Sequence, residues 1–173
     1  MGLSRLAPLL RAVDAINEAA GRLAGLLAAA LVALVFGLVL ARYAFNAGSV
    51  AAQEAVLWLH ASLFLLGLGY TLRHDGHVQV DVFSQRWSAR TRARVTFAAT
   101  LALLLPFCVF MLAISWDYVA ASWSAREGSR DPGGLPGWYL LKALLPLSAA
   151  LLFLQGMALA LRSLPPAFAR EAG

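Results

Sequence analysis

Four stretches of this chain, 23–41, 55–72, 95–116 and 143–161, contain no Asp, Glu, Lys or Arg. At a helical rise of about 1.5 Å per residue, each reaches across roughly 30 Å of hydrocarbon. A backbone in lipid must satisfy its own N–H and C=O groups, so runs of this length are helices. The fold class is therefore all-α integral membrane, a single domain with four transmembrane helices. Composition agrees, because 61% of the residues are apolar and only 13% charged. That is more apolar surface than a soluble core of this size hides.

Charge sets the orientation. Between the second and third runs lies Arg73-His74-Asp75-Gly76-His77-Val78-Gln79-Val80-Asp81, followed by Arg86, Arg90, Arg92 and Arg94. Positive charge beside a span holds that end on the cytoplasmic side. The N-terminal segment, this connection and the C-terminal segment together carry ten basic residues. Arg42, Arg126, Arg130 and Lys142 leave four on the other face. The bias predicts an inner-membrane, multi-pass protein with both termini cytoplasmic. The basic balance is then topology and not a nucleic-acid surface. Cys108, the lone cysteine, lies inside the third run and reads as packing.

Within this frame the sequence predicts further elements. Arg11, Asp14, Glu18 and Arg22 share one helical face, and Leu6, Leu9, Leu10, Val13 and Ile16 the other. That pattern predicts an N-terminal amphipathic helix lying flat in the headgroups. Its acids, and the want of a small-x-small site near 41–47, argue against a cleaved signal peptide. Gly21, Gly25, Ala29, Ala33, Gly37 and Ala41 recur every fourth residue, which we read as a packing strip along the first span. Ser84 is positioned to cap a short cytoplasmic interfacial helix between spans two and three, with Arg86, Arg90 and Arg94 on one face. Pro106 predicts a kink in the third span. Trp116, Tyr118 and Trp123 mark its outer interface. The turn-forming run 124–136 predicts an ordered outer loop.

Few side chains stand out chemically. Glu54 opens the second span, where the helix dipole favours an acid. His60 lies inside that span, and an intramembrane ionisable group is a functional candidate. A neutral histidine bonded to a neighbouring helix is the weightier reading. The amide of Gln155, inside the fourth span, requires an interhelical partner. No metal-ligand pair, nucleophile with a placed base, or phosphate-binding glycine loop is present. The residues alone describe a scaffold or accessory subunit, with no catalytic, metal or cofactor site. A rival is the membrane anchor subunit of a redox complex, with His60 as a haem ligand. It needs a second axial ligand, and His74 and His77 fall outside the apolar runs. A small membrane enzyme, the other rival, lacks a convergent constellation.

Glu54, Trp58, Gly67 and Gly69, then Arg73-x-x-Gly76-His77-Val78-x-Val80-Asp81, resemble the small, DctQ-type membrane subunit of tripartite ATP-independent periplasmic (TRAP) transporters. The run Glu127-Gly128-Ser129-x-Asp131-Pro132-Gly133-Gly134-Leu135-Pro136, with Lys142, Pro146 and Gln155, is similar to the same family. The likeness covers nearly the whole chain up to Arg162. It implies a large DctM-type membrane subunit and a periplasmic substrate-binding protein as partners. It also implies sodium-driven, elevator-type uptake of an organic acid, with the sodium coupling in the large subunit. The small subunit is then static scaffold. On that reading Glu54, His60, Arg73, Gly76, His77, Asp81 and Gln155 are subunit-interface candidates. Arg42, Arg126, Glu127, Arg130 and Asp131 are candidates for touching the binding protein. C4-dicarboxylates, keto acids, sugar acids and aromatic acids all stay open as substrates.

Overall fold

The structure, a computed structural model, describes residues 3–77 and 87–168, with side chains over 6–77 and 87–164. Four helices run up and down: α1 (Leu3–Phe45), α2 (Val50–Arg73), α3 (Ala89–Ser124) and α4 (Trp138–Phe168). Each contains one predicted span and extends past it at both ends. Hydropathy marks the hydrocarbon crossing, whereas a helix continues through the headgroup region until a cap or turn stops it.

Local chemistry explains where the helices stop. Ser49 opens α2, its Oγ accepting the Ala52 N–H at 3.3 Å. The other end closes in a Schellman turn, with the Gly76 N–H donating to the Thr71 carbonyl at 2.9 Å. The left-handed residue of that turn is Asp75, at φ 51°. Gly76 therefore serves by close approach, since a Cβ there would press on Thr71 Cγ2 at 3.1 Å. The same turn ends α3, where the Glu127 N–H reaches the Ser122 carbonyl at 3.1 Å and Arg126 sits at φ 46°.

Ser88 opens α3, accepting the Thr91 N–H at 3.1 Å. Arg90 and Arg94 thus lie in the first turns of α3, with no break before the span. Ser84 and Arg86 lie outside the described residues, as does Asp81. Pro106 does not break α3. A wider π-helical turn over Thr100–Leu104 precedes it, absorbing the missing N–H and the ring within a continuous helix.

The helices form a row. α1 packs on α2 and, less extensively, on α4, α2 packs on α4, and α4 on α3, so among the described residues α3 meets the other helices chiefly through α4. Two hairpins, α1–α2 and α3–α4, are thereby joined along α2 and α4. α4 is central, burying 44% of its most apolar stretch inside the molecule against 6% for α1.

Two expectations about α1 are corrected. The small-residue strip does not follow one face: a period of four advances about 40° per step on a helix of 3.6 residues per turn, so the strip winds around. Gly21 cradles Tyr70, but Gly25 and Gly37 have no neighbouring helix within 4 Å. Residues 3–20 also form no separate element, because α1 is one uninterrupted helix. Of its polar residues Asp14, Asn17 and Glu18 turn inward, toward α2 and α4, while Arg11 and Arg22 stay exposed. Leu9 and Ile16 are 60% and 49% exposed, as suits residues that meet lipid.

Candidate functional site

Two polar clusters, one at each end of the row, tie the first hairpin to the second. At one end the loop 125–137 folds over α2. Glu54, in the second turn of α2, is buried. Its Oε1 accepts the Ser129 hydroxyl, and its Oε2 accepts the Leu135 N–H at 2.5 Å. Gly134 packs so closely that a methyl there would collide with Ser129 and Glu54. The Ser129 N–H donates to the Leu135 carbonyl at 3.1 Å, closing the loop on itself. This end acts as a latch.

A second carboxylate fixes where the loop begins. Glu127 Oε2 accepts from Lys142 Nζ at 2.5 Å and from the Ser122 hydroxyl at 2.6 Å. The lysine ammonium, and then the serine hydroxyl, hold the Glu127 carboxyl below the ordinary glutamate range. Lys142 Nζ also lies 4.2 Å from the centre of the Tyr118 ring. Trp58 and Trp138 meet edge to face at 6.3 Å and bring α2 to α4 beneath the loop. Arg126, Arg130 and Asp131 remain exposed on its outer side.

At the other end, Asp14 is the centre. It accepts Arg162 Nη2 at 2.6 Å and Gln155 Nε2 at 3.3 Å, and lies 3.8 Å from Arg73 Nε. Arg73 Nη1 donates to Glu18 Oε2 and to the Asp14 carbonyl, both at 2.8 Å. His74 Nε2 lies 3.1 Å from the same Glu18 oxygen. Asn17 Nδ2 donates to Gln155 Oε1 at 3.0 Å and to the Val13 carbonyl at 3.2 Å. Gly69 gives Asn17 its room, since a Cβ at that position would strike the amide oxygen. This node joins α1, α2 and α4 through paired charges and amides, the form in which polar groups persist in a bilayer.

The expected site residues separate accordingly. Glu54, Arg73, Glu127 and Gln155 are held by partners within this chain, and Gln155 has the interhelical bonds its amide requires. His60 is exposed on α2, with no bonded neighbour among the described residues. The bond to a neighbouring helix expected of His60 is not made among the described residues, where the residue is exposed. Gly76 and His77 are exposed beyond the end of α2, and Arg42 is exposed in the last turn of α1. Sequence reasoning missed Asn17, Ser122, Ser129 and Arg162, and took Asp14 and Glu18 for a solvated face. The usable signal was Asp14, Asn17 and Glu18 at helical spacing beside an apolar run.

Four apolar helices whose polar groups join their own two hairpins make this a multi-pass helical membrane protein. The family described as "Tripartite ATP-independent periplasmic transporters, DctQ component" matches residues 31–165, and the chain belongs to it. Over 89 residues it is 32% identical to the C4-dicarboxylate TRAP transporter small permease protein DctQ of Vibrio cholerae serotype O1 (strain ATCC 39315 / El Tor Inaba N16961). That stretch covers 51% of this chain and 38% of the relative, well under half its length. Proteins of this family are transporter components and not enzymes, and the chain is a multi-pass protein of the inner membrane. The haem-anchor alternative has no support. His60 and His74 stand 14 residues apart on one helical axis, about 20 Å, with no second histidine beside the first among the described residues.

Proposed function

We propose that this chain is the static scaffold of a TRAP transporter, bracing a large elevator-type subunit during sodium-driven uptake of an organic acid. The observation that carries this reading is the row of helices pinned at both ends. A partner that slides across the membrane needs a wall that does not tilt or splay. Two hairpins joined only by apolar contact would shear in lipid, where no hydrophobic force holds helices together. The latch and the node prevent that shear.

The ten-to-four charge bias supports an orientation with the node and both termini on the cytoplasmic side and the latch on the periplasmic side. The N-terminal turns of α1 and the arginines of α3 then lie at the inner headgroups. The periplasmic loop, rigid and carrying Arg126, Arg130 and Asp131 outward, is the surface for the binding protein. His60 and His77, exposed and without a bonded partner among the described residues, are with Gly76 and Asp81 the remaining candidates for contact with the large subunit. The carboxylates and amides already bonded inside this chain are structural.

Reversing both outer charges, Arg126→Glu with Arg130→Glu, tests the docking surface. We expect uptake by the complete transporter to fall about tenfold, as for loss of electrostatic steering. Co-purification with the large subunit should be unchanged. Uptake that persists at the wild-type rate would remove this surface from the mechanism, and lost co-purification would make it an assembly contact instead.

A further inference from the structure

We propose that the hollow at the α1–α2 hairpin is a binding site for the phosphodiester head of a membrane phospholipid, with Arg42 as its anion-binding group. The hollow holds about 550 Å³ and is bounded by Leu38, Val39, Arg42, Tyr43, Asn46 and Gln53. Its wall changes chemistry along α1. Leu38 and Val39 lie about one turn toward the middle of the helix from Arg42, while the amides of Asn46 and Gln53 stand at the hairpin end. An apolar wall leading to a cation and two amides matches a molecule with an acyl chain and an acidic head.

The charge pattern of the chain points the same way. Arg73 and Arg162 are paired with carboxylates on α1, and Lys142 with Glu127. Arg42, in the last turn of α1, has no hydrogen-bond or ion-pair partner among the described residues. A helix C-terminus favours a cation by itself. That accounts for the charge, but not for the hollow or for the two amides beside it. A guanidinium at the edge of the hydrocarbon forms its strongest bonds to a phosphate or carboxylate oxygen. The α1 end of the hollow has a fixed shape, since Asn46 takes a left-handed conformation at φ 51° and the Ala47 N–H closes on the Ala41 carbonyl at 3.1 Å.

The test uses the full chain in detergent, stripped of lipid and titrated separately with phosphatidylglycerol, diacylglycerol and inorganic phosphate. Thermal unfolding and native mass spectrometry are the readouts. Phosphatidylglycerol should give a saturable upward shift and a single retained adduct, while the other two at equal concentration give neither. Arg42→Gln should weaken the lipid response about tenfold, the loss of a charge-assisted contact. Asn46→Gly keeps the left-handed turn and removes the amide. It should weaken binding without loss of folding, so it carries the test if Arg42→Gln does not fold. An equal response to phosphate would mean a free-anion site, and an equal response to diacylglycerol a merely greasy one; either overturns the proposal. So does an adduct that both variants retain unchanged.

Discussion

At the scale of single residues, the pairing of Asn17 with Gln155 shows how this protein tolerates amides where water is scarce. Asn17 is fully buried and Gln155 is 1% exposed, and the Asn17 amide donates to the Gln155 carbonyl oxygen across α1 and α4. Truncating one side leaves a buried donor or acceptor without a partner, which costs about 1–3 kcal/mol. Replacing both by leucine removes donor and acceptor together. We expect Gln155→Leu alone to lower thermal stability in detergent, and the Asn17→Leu, Gln155→Leu pair to recover part of that loss, since Asp14 still lacks the Gln155 donor. Additive losses in a double-mutant cycle would show that the amides do not act as a pair. Arg126 illustrates the converse. Its left-handed backbone costs about 1–2 kcal/mol for a non-glycine residue, so Arg126→Gly should raise the melting temperature. A side chain kept against that cost is kept for what it touches, and uptake by the complete transporter should fall in the same variant.

At the scale of the elements, the four spans and the outer loop were legible because both depend on local chemistry. Uncharged runs of bilayer length must be helices, and a run such as Ser129 to Pro136 must turn. Helix ends were less legible, since α1 and α3 continue through charged turns that hydropathy treats as outside. The inward polar face of α1 was misread for a physical reason. Amphipathic pattern gives the direction of the polar face relative to the apolar one, but in lipid the polar face seeks partner helices. Order in space was not legible either, because chain order permits several neighbours for α4. The loop latch yields a prediction at this scale. Glu127 binds its proton less readily in the folded chain than at its ordinary value of 4.5. Its contribution to holding the loop is therefore full above that value and is lost as the pH falls through the lower, folded one. Tryptophan fluorescence from Trp123 and Trp138 should report a loosening below pH 4.5. The step should shrink in Glu127→Gln to the part that belongs to Glu54, whose carboxyl the Ser129 hydroxyl and the Leu135 N–H also hold low; a step of the same size in that variant would assign it to another group.

At the scale of the whole molecule, the latch and the node matter because both cross between the hairpins. Glu54 lies on α2 and its partners lie in the loop before α4, while Asp14 and Asn17 lie on α1 and reach Gln155 and Arg162 on α4. Each end of the molecule thus has its own fixed point between the hairpins, and each can be released separately. Glu54→Ala leaves the Ser129 hydroxyl and the Leu135 N–H without their acceptor, at about 1–3 kcal/mol for each group that stays buried. With the node intact, the hairpins should then splay at the latch end only. Spin labels on α2 and α4 near the latch should show a broadened, longer distance distribution, and labels near Arg73 and Arg162 an unchanged one. Asp14→Ala should give the opposite pattern, because Arg73 and Arg162 lose the acid they share. Combining the two substitutions removes both fixed points, so its broadening at each end should exceed that of either single variant. Broadening at both ends from Glu54→Ala alone would mean that the row is held as one cooperative unit, and that the two clusters are not independent pins.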